Sequence, residues 1–195
     1  MFHKGLSKEL VVKTAKDLIE ENGYANFSMH MLADSFGIKT ASLYTHIKNM
    51  DELLTEVGKE ILQEQKNAEL SAIGTQTRDK AILALADAYR KYAKEHKELY
   101  RFIMNMQTAA NSDLKDASSV IVEPFMFVLR GYRISEERKM HWQRILRGTM
   151  HGFVSQEEFG YFLHYPVDIE ESYRSAIQCL VDGLRQEEAD GCHEE

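Results

Sequence analysis

Residues 28–54 read SMHMLADSFGIKTASLYTHIKNMDELL, and this stretch decides the fold. Ser28 is a good N-cap, because its hydroxyl can accept a free N–H of the first helical turn. Leu32 and Phe36 lie four apart on one helix face, with small Ala33 beside them. Gly37 can turn left-handed at low cost, as a helix end and sharp turn require. Ile38 is apolar and fills the gap that follows. Leu43 and Ile47, again four apart, bury a second short helix. Its other face shows Thr40, Ala41, Ser42, Tyr44, Thr45 and Lys48, with no carboxylate between Gly37 and Met50. Small, hydroxylated and cationic residues suit a phosphate-lined groove, where close approach and hydroxyl donors both help. Asp51 and Glu52 open a third helix, where its dipole favours acids.

Working outward, residues 7–22 predict a helix with Leu10, Val11, Thr14, Ala15, Leu18 and Ile19 as its buried stripe, ended by Gly23. The helix from Met50 is expected to reach about Leu70, followed by a turn over 71–77. Ile82, Leu85, Tyr89 and Tyr92 mark the next helix, and a shorter one follows over about 97–108. Residues 109–113 break the pattern. A helix over about 114–131 is expected to be deeply buried and kinked by Pro124. Ser135 restarts a helix towards Phe159, with Gly148 and Gly152 four apart as places for close backbone approach. Asp168 and Glu171 predict a capping box for the last helix. The acidic tail (Glu187, Glu188, Asp190, Glu194, Glu195) is expected to fray.

The chain has 195 residues, 44% hydrophobic and 28% charged, with two prolines and no long alternating strand pattern. An all-α protein is the expectation. No apolar run suits a membrane span, and the amino end carries no apolar signal core, so a cytoplasmic protein without membrane contact is expected. Cys179 and Cys192 read as free thiols of a reducing compartment. The net charge is −7. Residues 1–50 hold six lysines against five acids, a balance of +1, which leaves −8 for the rest. The amino-terminal head is therefore the less acidic part, and Lys4, Lys8, Lys39 and Lys48 gather there. An acidic body steers a polyanion towards that head.

At these residues the chain resembles a known family, the tetracycline-repressor-like (TetR) regulators. The resemblance covers residues 8–62: Gly23-Tyr24, Phe27-Ser28, Leu32-Ala33, Phe36-Gly37-Ile38, Ser42-Leu43-Tyr44-x-His46-Ile47-Lys48-Asn49 and Leu53-Leu54. Met50 stands where many members carry a phosphate-binding Lys, and Lys39 where a Ser or Thr cap is common. The carboxyl half, through Arg147-x-x-x-His151-Gly152-Phe153-Val154-Ser155, Glu158, Gly160, Phe162, Val167-Asp168 and Ser172-Tyr173, resembles the family's His-Gly-motif (WHG-type) regulatory class.

The resemblance implies a helix-turn-helix DNA-binding domain over 1–52, with the helix from about Met50 as linker, and a helical-bundle regulatory and dimerisation domain over 53–195. It implies a homodimer on a near-palindromic double-stranded operator, and a small-molecule effector of unknown identity. The expected docking set is Ser28, Met29, His30, Lys39, Thr40, Ala41, Ser42, Tyr44, Thr45, His46 and Lys48. Among these, Tyr44, His46 and Lys48 are assigned to phosphates. His30 reads either as a contact or as a plain surface histidine. Gly148, Gly152, Phe153, Tyr173, Ile177, Leu180 and Leu184 are the expected dimer contacts. Tyr89, Tyr92, Phe102, Met106, Phe125, Met126 and Trp142 are the candidates for an effector pocket, with core packing as the plain alternative.

No catalytic arrangement, cofactor motif or metal site is expected; His141, His151, His164, Glu157, Glu158 and Cys179 show no tight ligand spacing. A body without a cavity of roughly 300 Å³ would favour a ligand-independent, partner-controlled or architectural DNA binder over an effector-released repressor.

Overall fold

The computed structural model describes residues 5–106, 119–164 and 166–191. All regular structure among them is helical. The helices are α1 (Lys8–Asn22), α2 (Met29–Ser35), α3 (Thr40–Leu43), α4 (Met50–Ile73), α5 (Arg78–Glu95), α6 (Lys97–Asn105), α7 (Glu123–Leu129), α8 (Glu136–Glu158) and α9 (Ile169–Gly191). The chain forms two compact units: Met1–Glu64 with His96–Val120, and Gln65–Glu95 with Ile121–Glu195.

In the first unit, Ser7 caps α1 by accepting the Leu10 N–H, and Gly23 ends it at φ 77°. A Cβ at Gly23 would stand 3.0 Å from the Glu98 carboxylate, so glycine is needed for both backbone and space. Val11, Ala15 and Ile19 of α1 are fully enclosed. Lys16 is buried too, and its ammonium donates to Glu60 and Glu64 of α4. Burial acts most strongly on that amine and lowers its pKa. The two carboxylates together outweigh it and hold Lys16 above its ordinary value. Helix α6 packs on α1, with Phe102 against Tyr24 at 5.1 Å between ring centres.

The second unit assembles α5, α7, α8 and α9. Its polar centre is Arg90 of α5, only 6% exposed. The guanidinium grips Glu157 of α8 with two bonds of 2.8 and 2.9 Å and also donates to Glu170 of α9. It stacks over Tyr173, whose hydroxyl donates to the Ala86 carbonyl at 2.8 Å. A second network closes the far end of α9. Asp79 accepts from Tyr132 and Arg185, while Glu188 accepts from Arg78 and from the Arg133 N–H. Arg78 sits at φ 55°, left-handed for a side-chain-bearing residue, and its side chain lies where a Cβ on Gly131 would fall.

Several expectations change. Helix α4 runs to Ile73 and stops at Gly74, φ 54°. Pro124 lies in the first turn of a short helix preceded by a 3-10 turn, Ser119–Val122, where its missing N–H removes no helical bond and makes no kink. Phe127 of that helix is 37% exposed, under Arg130. The break at 109–113 and the start of the helix from 114 lie outside the described residues. Asp168 accepts the Glu170 N–H at 2.8 Å, and it is Glu170, on the α9 face towards α5, that joins Arg90. Glu187 and Glu188 are not frayed: Glu187 holds Arg138 and the Trp142 indole N–H.

One buried acid has no cation. Glu69 of α4 is 1% exposed, accepts one hydrogen bond from Gln65, and has an enclosed second oxygen with no donor among the described residues. Burial pushes its carboxyl up to about 7. The native state therefore keeps a proton that the unfolded chain gives up as pH rises from about 4.5. That contribution to stability is present at low pH and is lost through pH 7, on the order of 3 kcal/mol in all. Glu69→Gln is expected to lack this slope. Urea unfolding of both proteins from pH 5 to 8 measures the difference, in which the other carboxylates cancel; parallel curves would show that the carboxyl titrates normally.

Candidate nucleic-acid interface

The interface is built on a short α2–turn–α3 unit. Ser28 accepts the Met31 N–H at 3.2 Å and starts α2. At its end the Gly37 N–H reaches the Asp34 carbonyl at 2.9 Å, and the Ile38 N–H reaches Ala33 at 3.1 Å. Gly37 stands at φ 65°, so both bonds close around a left-handed glycine. Lys39 then caps α3 without a side-chain bond. Helix α3 is only four residues long and tightens at once. Thr45 turns its hydroxyl back to the Ser42 carbonyl at 2.7 Å, and the His46 and Ile47 N–H groups both donate to Leu43. Leu43 and Ile47 are 0 and 1% exposed and fix the element to the head.

This leaves Lys39, Ala41, Ser42, Thr45 and Lys48 exposed, Tyr44 50% exposed, and Thr40 and His46 half-buried. His30 is exposed and lies 3.4 Å from Asp34 one turn on. Met29 is the exception in the expected docking set. It is 8% exposed and belongs to the core of the head, because the residue after the Ser28 cap faces inward. Lys8, one of the lysines gathered in the head, is paired with acids of α4. Its ammonium lies 2.9 Å from Glu52 and 3.7 Å from Glu56. Lys4 lies outside the described residues.

Glu52 is the residue that sequence reasoning undervalued, giving it only a favourable place in the helix dipole. One carboxylate oxygen accepts the Lys48 N–H at 2.7 Å and the other accepts Lys8 at 2.9 Å. Its own N–H is taken by Asn49 Oδ1 at 2.8 Å. One side chain thus ties the end of the reading segment to α1 and to the start of α4. The Lys8 hydrogen bond first, and the Lys48 N–H second, hold its carboxyl below the usual range. The signal was legible: Asn49-x-x-Glu52 has the spacing of a capping box.

In the second unit, the expected dimer residues divide. Tyr173, Ile177 and Leu184 are at most 1% exposed and fill the protomer's own core, since that face of α9 meets α5 and α8. Phe153 stacks against Phe162 and Tyr173. Among the described residues, Gly148 and Gly152 have no atom within 4 Å of an added Cβ. Of the pocket candidates, Tyr89 and Phe125 meet, while Phe102 and Met106 belong to the first unit and the other five to the second. The Tyr89–Phe125 contact is edge-on, Phe102 lies beside Tyr24, and Trp142 packs under Gly183. Two grooves of about 400 and 310 Å³ occur in the second unit, lined by Asp87, Arg90, Lys94 and Arg174 and by Gln76, Arg78, Phe127 and Arg130 among others. None of the seven candidates lines either groove. No group of three metal-binding side chains, and no helix long and apolar enough to cross a membrane, occurs among the described residues.

Residues 11–57 match the family described as bacterial regulatory proteins, tetR family, and residues 82–180 match the tetracyclin repressor-like C-terminal domain. An uncharacterised helix-turn-helix transcriptional regulator of Mycobacterium tuberculosis is 25% identical over 188 residues, covering 95% of this chain and 85% of its own. A solved protein of unknown function from Rhodococcus is similar at a TM-score of 0.79 with 19% identity, over 94% of this chain and 97% of its own. BioQ, solved with its natural double-stranded DNA operator, is similar at 0.62 with 23% identity, over 92% and 98%.

Glu52→Gln keeps the shape but removes the charge shared by Lys8 and Lys48. Faster hydrogen exchange at the Lys48 amide is the expected result, with the Leu43 and Ile47 amides less affected. Unchanged protection of Lys48 would show that the carboxylate does not hold this turn.

Proposed function

This chain belongs to the tetracycline-repressor family of bacterial regulatory proteins, and on that premise we propose that it represses transcription as a homodimer and releases its operator when a small molecule occupies its carboxyl domain. It is a DNA-binding transcriptional regulator working, in this reading, in the cytoplasm. Residues 1–52 are the reading head, α4 is the connection, and residues 53–195 are the regulatory and dimerising part. The His151-Gly152 step supports placing that part in the His-Gly-motif class. Burial, and then Arg147, lower the His151 pKa.

The observation that carries the DNA reading is the face from Lys39 to Lys48. It is exposed, holds no carboxylate, and is fixed from behind by Leu43, Ile47 and Glu52. Tyr44, His46 and Lys48 meet phosphates, while Lys39, Thr40, Ala41 and Thr45 reach base edges. BioQ's operator complex supports the same use of the fold. Two copies on one near-palindromic site place their heads in successive major grooves.

The dimer face lies on α8 rather than on the buried stripe of α9. Ile145, Gly148, Gly152 and Phe159 recur along one side of α8, with Ile145 40% and Phe159 68% exposed. The open space at both glycines admits the backbone of a second copy. Tyr161, Leu163 and Val167, beyond the end of α8, are also exposed apolar residues, at 63, 78 and 67%.

Lys48→Ala should weaken binding to all sequences about equally and lower the slope of log K against log salt by about 1. Tyr44→Phe should weaken binding without changing that slope. Filter binding or anisotropy across a salt series measures both, and wild-type behaviour in both variants would move the docking face elsewhere. A Cβ at Gly148 meets nothing within 4 Å, and Gly148→Glu should give a folded monomer that binds a full operator poorly. A dimer by sedimentation would remove α8 from the interface.

A further inference from the structure

Helix α4 carries two polar residues on a buried face that is otherwise apolar. Ile61, Gln65, Glu69 and Ile73 recur every four residues and are 0, 3, 1 and 0% exposed. Gln65 donates its amide to Glu69 Oε1 at 2.9 Å and so fixes the carboxylate's orientation. Glu69 Oε2 is enclosed and meets no donor among the described residues. Gln143 of α8, 4% exposed and in the same unit, has an enclosed amide oxygen in the same condition. Buried acceptors are normally satisfied, so an acid left half-satisfied in a core needs a reason. A glutamine or leucine at 69 would avoid the unpaired charge altogether.

We propose that Glu69 is the anchor for the effector of the carboxyl domain, and that the effector is a hydrophobic primary amine whose ammonium donates to Glu69 Oε2. This deepens the effector-released reading above and rests on it. The chemistry follows from the acceptor. A carboxylate or phosphate ligand would meet a like charge. An alcohol would donate a hydrogen bond but leave the negative charge uncompensated. A guanidinium uses both oxygens of a carboxylate, and Gln65 already occupies one. An ammonium is a compact charge that needs only one oxygen. A metal ion would need further ligands, and no group of three metal-binding side chains occurs among the described residues. Ile73, one turn on along the same buried face, matches a hydrophobic skeleton attached to the amine.

The charge also decides the energetics. An ammonium beside a desolvated carboxylate completes a buried ion pair, the condition that Arg90 already enjoys with Glu157. Glu69 lies on the same continuous helix as Glu52, so a ligand that shifts α4 acts on the element that holds the reading turn.

The test uses full-length protein at pH 8, above the Glu69 pKa of about 7. Hexylamine, benzylamine and 1-naphthylmethylamine are titrated by calorimetry, each beside the alcohol of the same skeleton. At least one amine should bind at least tenfold more tightly than its alcohol, and Glu69→Gln should abolish that preference. Gln65→Met, which frees Oε1, should improve binding of benzylguanidine relative to benzylamine. An equal amine preference in Glu69→Gln, or no amine binding in the series, overturns the assignment. Release of the operator by a neutral compound, unchanged in Glu69→Gln, overturns it as well but leaves effector control standing. Glu69-dependent amine binding with unaltered operator affinity keeps the amine site and removes effector control.

Discussion

Everything the head can do depends on where its short reading helix stops, and that point is held by one carboxylate. Helix α3 has a single turn, too short to be stable alone. Its inward anchors are Leu43 and Ile47, and its outward face has no internal support. Without a partner for the Lys48 N–H, the chain between α3 and α4 could rotate. Glu52 removes that freedom by accepting from Lys48 and from Lys8 at once. The cation of α1 thus supports the geometry of the docking surface and is largely neutralised there. This explains how a head with a balance of only +1 can still present an organised cationic edge through Lys39 and Lys48.

Behind that clamp, Lys16 serves α1 and α4 in the same way on a buried scale. Its pairs with Glu60 and Glu64 link α1 to α4. An ion pair that is part-buried adds little net stability but strongly disfavours other arrangements, since any slip leaves an amine unsatisfied. Lys8 and Lys16, two turns apart on α1, thereby fix α4 along its first half. Charge here sets register, while Val11, Ala15, Ile19, Leu53, Val57 and Ile61 supply the apolar burial.

Much of this was legible in the sequence. Ser28, Gly37, Leu43 and Ile47 announced the turn-helix unit because capping, φ freedom and four-residue spacing are local properties. Met29 was misplaced for a related reason: periodicity over seven residues does not fix which way the first residue of a helix points. The α9 stripe shows a deeper limit. Tyr173, Ile177 and Leu184 were correctly buried by pattern, but a pattern does not say whether the burying surface belongs to the same chain. The structure supplies α5 and α8 for that role, and Tyr173's bond to Ala86 fixes it. Pro124 makes no kink because α7 begins at Glu123, after a 3-10 turn that the apolar pattern alone does not mark. Glu187 and Glu188 looked like solvated tail charges because their partners, Arg78, Arg133 and Arg138, are far away in sequence. Glu69 gave no signal at all, since an acid in a stripe usually sits at its edge.

The second unit therefore contains two opposite treatments of a buried charge. Arg90 is surrounded by Glu157, Glu170 and the face of Tyr173, so the guanidinium is compensated on every side it presents. The hydrogen bonds to Glu157 first, and to Glu170, outweigh the opposing effect of burial and favour its ionised form. Glu69 has one neutral donor and one empty oxygen, and its charge is so poorly compensated that the proton stays on near neutrality. A fold that needed only rigidity would treat both sites alike. Arg90 joins α5 to α8 and α9, whereas Glu69 of α4 keeps one oxygen without a donor among the described residues. A ligand bearing the missing charge stabilises whichever arrangement of α4 brings that oxygen to it, and stabilises others less. That difference in affinity is the physical requirement for coupling a site to a movable helix.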